Sequence, residues 1–354
     1  MTVDTKNHFV TKLGLELPLI QGPFGGGLST IELTAVVSNL GGLGSFGAHH
    51  LDGDGIEGIA TAIRAKTDKA FALNLWVGDH DAGGDDMSEA TFDRAWTFYA
   101  PFFAEFGLDR PAAPSFYHPR FCDQIDSLIA ARPAAFSFVF GIPSLQILEE
   151  CRRLGILTIG AATTVAETAA LDDAGVDAIL VSGFEAGGHR PSFIDRAEDS
   201  LMGTLPLTSL AARRTKQPVI AAGGIADAAG IRAVLAAGAQ VAQLGTAFIA
   251  CQESGTADVH RDALFSQRSE KTVLTRAYTG RLARGIPSRV IAEFDKRMHL
   301  LPPFPIHSWF VSKLKAAAMA ANVEDFISLY AGQGAPLLKH RTAPELIFAI
   351  RNEL

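Results

Sequence analysis

The chain is short of cysteine, of charge and of long apolar runs, and each shortage excludes a class of protein. Its three cysteines, Cys122, Cys151 and Cys251, stand far apart with no CxxC pair, so neither a disulfide framework nor a cysteine-rich zinc site can form. Charged residues make up 19% of the 354, against a globular norm of about 25%, which excludes a disordered tail or a solvated charge-rich binder. The net charge of −7 argues against nucleic acid or an anionic membrane surface as partner. No run of about 18 apolar residues occurs, so no membrane span is expected. Met1 to His8 is polar with no apolar run behind it, so no signal peptide is read and the expected location is cytoplasmic. What is abundant is hydrophobic residue, at 48%, and glycine, at 34 residues.

Short apolar runs alternate with helix-like segments, the pattern of parallel βαβ units. The expected strands are Leu17–Gln21, Leu43–Gly47, Phe71–Val77, Ala135–Phe140, Leu157–Ala161, Ala178–Ser182, Val219–Ala222 and Val241–Leu244. Several are apolar at every position, as strands covered on both faces should be. Helical patterns lie between them at Ile31–Leu40, Ser144–Leu154, Val165–Ala174 and Ala226–Ala237. Eight strands closing near residue 250 predict an α/β (β/α)8 TIM barrel, a fold of about 250 residues. Gly41, Gly155, Gly175 and Gly238 each precede a strand, where glycine supplies the left-handed turn that ends a helix.

Two segments stand outside the repeat. Residues 78–118 hold eight acids, two bases and then Trp96, Phe98, Tyr99, Phe102 and Phe103. An insertion after the third strand lies over the face where barrels place their sites, so it is either a lid or a packed excursion. Residues 256–354 read as a smaller, mainly helical C-terminal domain packing over the active site, with 1–255 as the barrel domain.

Gly42-Leu43-Gly44-Ser45-Phe46-Gly47 matches GxGxxG, but that fingerprint must follow a strand and open a helix. Here it follows a helix and is itself the second strand, so it is rejected. Gln21-Gly22-Pro23-Phe24-Gly25-Gly26-Gly27 ends the first strand. It is either a flexible turn or a stretch of bare backbone that a flat ligand can approach. Ala222-Gly223-Gly224-Ile225 and Gln243-Leu244-Gly245-Thr246 end the last two strands, where barrels build phosphate sites from backbone N–H groups. Ser182 leads into Gly183-Phe184-Glu185-Ala186-Gly187-Gly188-His189-Arg190. An imidazole past a strand's C-terminal end can exchange a proton near neutral pH or donate a hydrogen bond to an anion. Asn74 interrupts an apolar strand, and its amide must be satisfied structurally or read the polar edge of a ligand; Gln243 offers similar groups.

Together these blocks resemble the nitronate monooxygenases, formerly 2-nitropropane dioxygenases, and within them class I. The likeness spans about Leu17 to Pro336 and adds Thr279-Gly280-Arg281-Leu282-Ala283-Arg284-Gly285 and Ala331-Gly332-Gln333-Gly334. It implies an FMN-dependent barrel that oxidises alkyl nitronates, of the propionate 3-nitronate kind, with O2 to carbonyl compound and nitrite. It further implies FMN contacts from Asn74, Ser182, Gly187, Gly188, Gly223, Gly224, Gln243, Leu244, Gly245 and Thr246. Pro23, Phe24 and Gly25 would lie under the flavin ring, Gln333 would reach it from the tail, and His189 would be the active-site histidine. No metal is implied, and a homodimer is left open. Ser182 stands where a glutamine is usual, Gly22 and Phe24 where alanine and methionine are common, and Arg190-Pro191 where a glycine is usual.

Three other readings compete. The same loops serve FMN-dependent NAD(P)H reductases of enoyl thioesters or quinones, which steady-state NAD(P)H oxidation would distinguish. A flavin-free sugar-phosphate lyase or isomerase would need a lysine or paired carboxylates at the strand ends, and none stands there. An inert FMN carrier would leave His189 without a purpose.

Overall fold

A computed structural model describes residues 8–354. Eight parallel strands form one sheet: β1 (Leu19–Gln21), β2 (Gly44–Gly47), β3 (Phe71–Trp76), β4 (Ala135–Val139), β5 (Leu157–Ala162), β6 (Ala178–Ser182), β8 (Val219–Ala222) and β9 (Val241–Leu244). They run in the order β1-β9-β8-β6-β5-β4-β3-β2. A parallel bridge from Ile20 to Leu43, the residue before β2, closes the ring. The expected barrel is therefore present, with strand ends within two residues of those read from the apolar runs.

The two faces of the strands pack differently. Ile20, Ala72, Ala135, Ile159, Leu180, Ile220 and Val241 join Phe9 and Leu13 in one cluster, whereas their neighbours Leu19, Leu73, Phe136, Ile179, Val219 and Ala242 pack with the surrounding helices. Side chains of a strand alternate between faces, so the first set fills the barrel and the second glues it to its outer ring. The helices start where side-chain caps allow. Thr30, Ser144, Thr164 and Asp227 each accept a backbone N–H from the first turn that follows, satisfying donors that the helix itself cannot. Close approach explains the rejected fingerprint: a Cβ on Gly44 would lie 2.0 Å from the carbonyl oxygen of Thr34.

The two irregular segments turn out to build a single second core. The insertion's helix Glu89–Glu105 packs Phe92, Tyr99, Phe102 and Phe103 against Phe294, Ile306, Phe310, Leu314 and Phe326 of the tail. Asp81 pairs with Arg281 at 3.0 Å, and the N–H of Asp81 donates to the carbonyl of Phe304. The insertion is thus a packed excursion fastened to the tail. A small antiparallel sheet adds a further tie that periodicity could not show: β7 (Gly188–His189) pairs with β11 (Ala283–Gly285), which pairs with β10 (Val273–Thr275). The last helix, Ala343–Glu353, returns Leu346, Ile347 and Ile350 to the barrel's core, beside the helices Ile31–Asn39 and Ala228–Ala236.

Candidate active site

A cavity of about 470 Å³ opens at the C-terminal ends of the barrel strands, beneath the insertion and the tail. That is the size range of small-molecule and cofactor sites. Of the residues singled out from sequence, Pro23, Phe24, Gly25, Asn74, Ser182, Gly187, Gly188, His189, Gly223, Gly224, Gln243, Gly245 and Thr246 all line it. Two do not. Leu244 is fully buried in β9, and its carbonyl accepts the N–H of Gly22 at 2.9 Å. Gln333 turns its side chain to solvent and gives its N–H to the carbonyl of Glu185 at 2.9 Å, while its neighbour Gly334 lines the cavity.

One wall is main chain. The loops after β6, β8 and β9 meet the tail segment 331–334 edge to edge. A Cβ on Gly187 would lie 2.5 Å from the backbone nitrogen of Gly332, and one on Gly334 would lie 2.2 Å from the carbonyl oxygen of Gly224. Gly224 has φ +69°, a conformation side-chain-bearing residues rarely adopt. Gly245 differs from these: its φ is −100°, and an added Cβ would meet only the Phe24 ring at 3.9 Å. Its missing side chain is space given to the cavity, at the loop where a barrel holds phosphate.

Asn74 lines the cavity and is also held structurally. It is 3% exposed, and its amide nitrogen donates to the carbonyl and the hydroxyl oxygen of Ser137 at 3.1 and 3.0 Å. The nitrogen is satisfied structurally, which leaves the amide oxygen for a ligand. Arg190 follows His189 into the protein rather than into the cavity. It is 1% exposed, and its guanidinium donates to the carbonyls of Ser182 and Gly183 at 3.0 and 2.7 Å and to that of Ser200.

The opposite wall is aromatic and imidazole. His189 Nε2 lies 2.8 Å from Oγ1 of Thr279, and its ring meets the edge of Trp76 at 5.0 Å between centroids. Burial, and after it the charge of Arg281, pushes the His189 pKa down to about 3. The imidazole is therefore neutral near pH 7, a hydrogen-bonding group rather than a strong base. His49 stacks on Trp76 at 4.1 Å; burial first, then the neighbouring His118, holds its pKa well below the ordinary value. This contact accounts for Gly25, because a Cβ there would lie 2.1 Å from the His49 ring.

Sequence reading missed most of this wall. His49, His50, Tyr117, His118, Trp309 and Lys315 line the cavity beside His189. Lys315 has no ion-pair partner among the described residues, and burial lowers its pKa. A signal for it did exist. Ser308, Ser312 and Lys315 recur at i, i+4 and i+7 on the helix Ile306–Ala320, a polar stripe on one face.

The chain matches the nitronate monooxygenase family model over residues 6–353. It belongs to the nitronate monooxygenase family. Among its curated relatives, the nitronate monooxygenase of Pseudomonas aeruginosa is 39% identical over 98% of this chain and 99% of its own. That of Paraburkholderia phytofirmans is 39% identical over 99% and 95%. The structure resembles nitroalkane oxidase from Streptomyces ansochromogenes with a TM-score of 0.88 and 32% identity, covering 98% of this chain and 97% of that one. FabK from Thermotoga maritima is more distant, with a TM-score of 0.75 and 25% identity over 99% and 96%. Membership makes the chain an enzyme of a family of FMN-dependent oxidoreductases and removes the flavin-free lyase. No helix among the described residues is long and apolar enough to cross a membrane.

Proposed function

We propose that the chain binds FMN in this cavity and uses it to oxidise alkyl nitronates with O2, giving carbonyl compounds and nitrite, with a preference for nitronates that carry a carboxylate. The observation that carries the reading is the pairing of two unlike walls around one cavity. The glycine wall fits a phosphate and a flat ring: Gly245 leaves the space a Cβ would fill, and no charged side chain from the loops after β8 and β9 lines the cavity to oppose an anion. Gly187, Gly188, Gly223, Gly224, Gln243, Gly245 and Thr246 would hold the phosphate end, with Pro23, Phe24, Gly25, Asn74 and Ser182 against the ring. When bound, the flavin supplies the redox chemistry.

The chain's own residues do the rest. His189, neutral and anchored at Thr279, offers a hydrogen bond to the nitro oxygens, where negative charge resides. A nitronate is already an anion, so no base need remove a proton first, and the low basicity of His189 suits that substrate better than a neutral nitroalkane. Lys315, without a protein partner, supplies a counter-charge for a carboxylate at the other end of a short substrate. Trp76, His49 and Trp309 exclude water from the space between, which strengthens both contacts.

The reductase reading is kept as the alternative because of the likeness to FabK. Steady-state assays separate the two. Nitrite release and O2 uptake with propionate 3-nitronate, and no NAD(P)H oxidation with enoyl thioesters or quinones, are expected; the reverse pattern would overturn the proposal.

A further inference from the structure

Glu185 does not line the cavity, yet the segments that build its glycine wall converge on it. The helix Thr204–Arg214 begins at Gly203 with no side-chain cap of its own. The Glu185 carboxylate supplies one from 19 residues away: the N–H of Thr204 lies 3.1 and 2.9 Å from its two oxygens, and the Thr204 hydroxyl lies 2.8 Å from Oε2. The same hydroxyl is 3.0 Å from the carbonyl oxygen of Gly223, so its single proton, which either oxygen can accept, lies between the loops after β6 and β8. On the main-chain side, the Glu185 carbonyl accepts the N–H of Gln333 at 2.9 Å. Its side chain also fixes the space around Gly224, whose added Cβ would lie 3.2 Å from the Cβ of Glu185.

We infer that Glu185 and Thr204 form a latch that positions the cofactor cradle, holding the loops after β6 and β8 and the tail segment 332–334 in the one arrangement that receives the phosphate end of FMN. Glu185 is a positioning residue: it touches neither cofactor nor substrate and acts through the backbone of Gly223, Gly224 and Gln333. The latch rests on the FMN reading above and adds to it a reason for a glutamate in a loop of glycines. A carboxylate in this place looks adverse to phosphate binding. Its charge is instead directed at the N-terminus of a helix, where a carboxylate is favoured. Loops freed from the latch populate other arrangements, and apparent affinity falls by the fraction that remains competent.

The test is the FMN dissociation constant, read by quenching of flavin fluorescence, with thermal unfolding measured in parallel. Glu185→Ala should weaken FMN binding about 10-fold, the loss expected of a missing helix cap. Glu185→Gln keeps an oxygen that accepts the Thr204 N–H and should stay within about 3-fold of wild type. Thr204→Val should weaken binding less than Glu185→Ala, and the double variant should be no weaker than Glu185→Ala, because both break one connection. Wild-type affinity in Glu185→Ala, even with a lowered melting temperature, would make Glu185 a structural cap only and overturn the latch. So would additive losses in the double variant, or a Gln variant as weak as the Ala variant. If Glu185→Ala does not fold, Thr204→Val decides: weakened FMN binding supports the latch, and unchanged binding overturns it. Failure of the wild type itself to bind FMN would refute the cofactor reading and the latch with it, whereas normal wild-type binding with insensitive variants refutes the latch alone.

Discussion

The glycine wall and the imidazole wall of the cavity are made of different material, and they respond to different perturbations. The first is backbone from three loops of the barrel, after β6, β8 and β9, plus one short tail segment, with carbonyls and would-be Cβ atoms in near contact. The second is side chain, gathered from the barrel, the insertion and the helix Ile306–Ala320, with His49 and Trp76 stacked and Lys315 unpaired. A main-chain wall offers no side chain of its own to trim, so it is blocked directly by adding atoms and loosened only through the side chains that hold it from behind. A side-chain wall can be trimmed one function at a time. The comparison predicts that changes to the first abolish cofactor binding and that changes to the second alter turnover and selectivity while the cofactor stays.

The largest effect should come from Gly245→Val. Its φ of −100° lies outside the left-handed region that favours glycine, so the variant tests chiefly lost space. FMN affinity should fall about 100-fold or more, seen as colourless protein after purification; Gly224→Val should lose flavin too, but there strain at φ +69° contributes. Next in size is His189→Asn, which should keep FMN and lose about 100-fold in kcat on a nitronate. With its pKa pushed down to about 3, wild-type His189 does not change charge between about pH 5 and 8. The kcat profile over that range should therefore show no inflection that His189→Asn removes, and any nitroalkane activity should fall by the same factor as nitronate activity. Third, Lys315→Met should raise KM for propionate 3-nitronate about 10-fold with little change in kcat, and leave an uncharged alkyl nitronate unaffected.

The smallest effect concerns the second core behind the imidazole wall and is read by pH. His260 and His307 are buried with pKa values lowered to about 4 by burial. Nε2 of His307 lies 2.9 Å from the Ala277 carbonyl, and its Nδ1 faces the Tyr99 hydroxyl, an arrangement that uses the neutral ring. Unfolded histidine takes up a proton near pH 6.5 and the folded ones resist until about pH 4, so the unfolded state binds more protons in that window. Stability is then full above about pH 6.5 and falls as pH drops toward 4. The urea midpoint should follow that course, and His307→Gln should flatten part of it.

How much of this was legible follows from the same contrast. The barrel could be read because each strand's apolar run and each helix's cap is local: Ala178–Ser182, Val219–Ala222 and Val241–Leu244 were placed to the residue. The glycine wall was legible because it hangs on strand ends that chain order fixes. Leu244 and Gln333 were the exceptions, since chain order does not say which way a side chain points. Apart from His189 and the polar stripe that carries Lys315, the imidazole wall was not legible because its members meet only through the second core. Nothing local in Phe92, Tyr99 or Phe103 says that their partners are Phe294 and Phe310, or that this pairing hangs Lys315 over His189's cavity. A two-residue strand such as Gly188–His189 is likewise below the length at which alternation can be read.

Anaerobic mixing of the FMN-loaded protein with propionate 3-nitronate tests the central claim most directly. The account predicts that the nitronate bleaches the flavin spectrum and that admitting O2 restores it with release of nitrite, while NAD(P)H leaves the spectrum unchanged. A flavin untouched by the nitronate but reduced by NAD(P)H would contradict it.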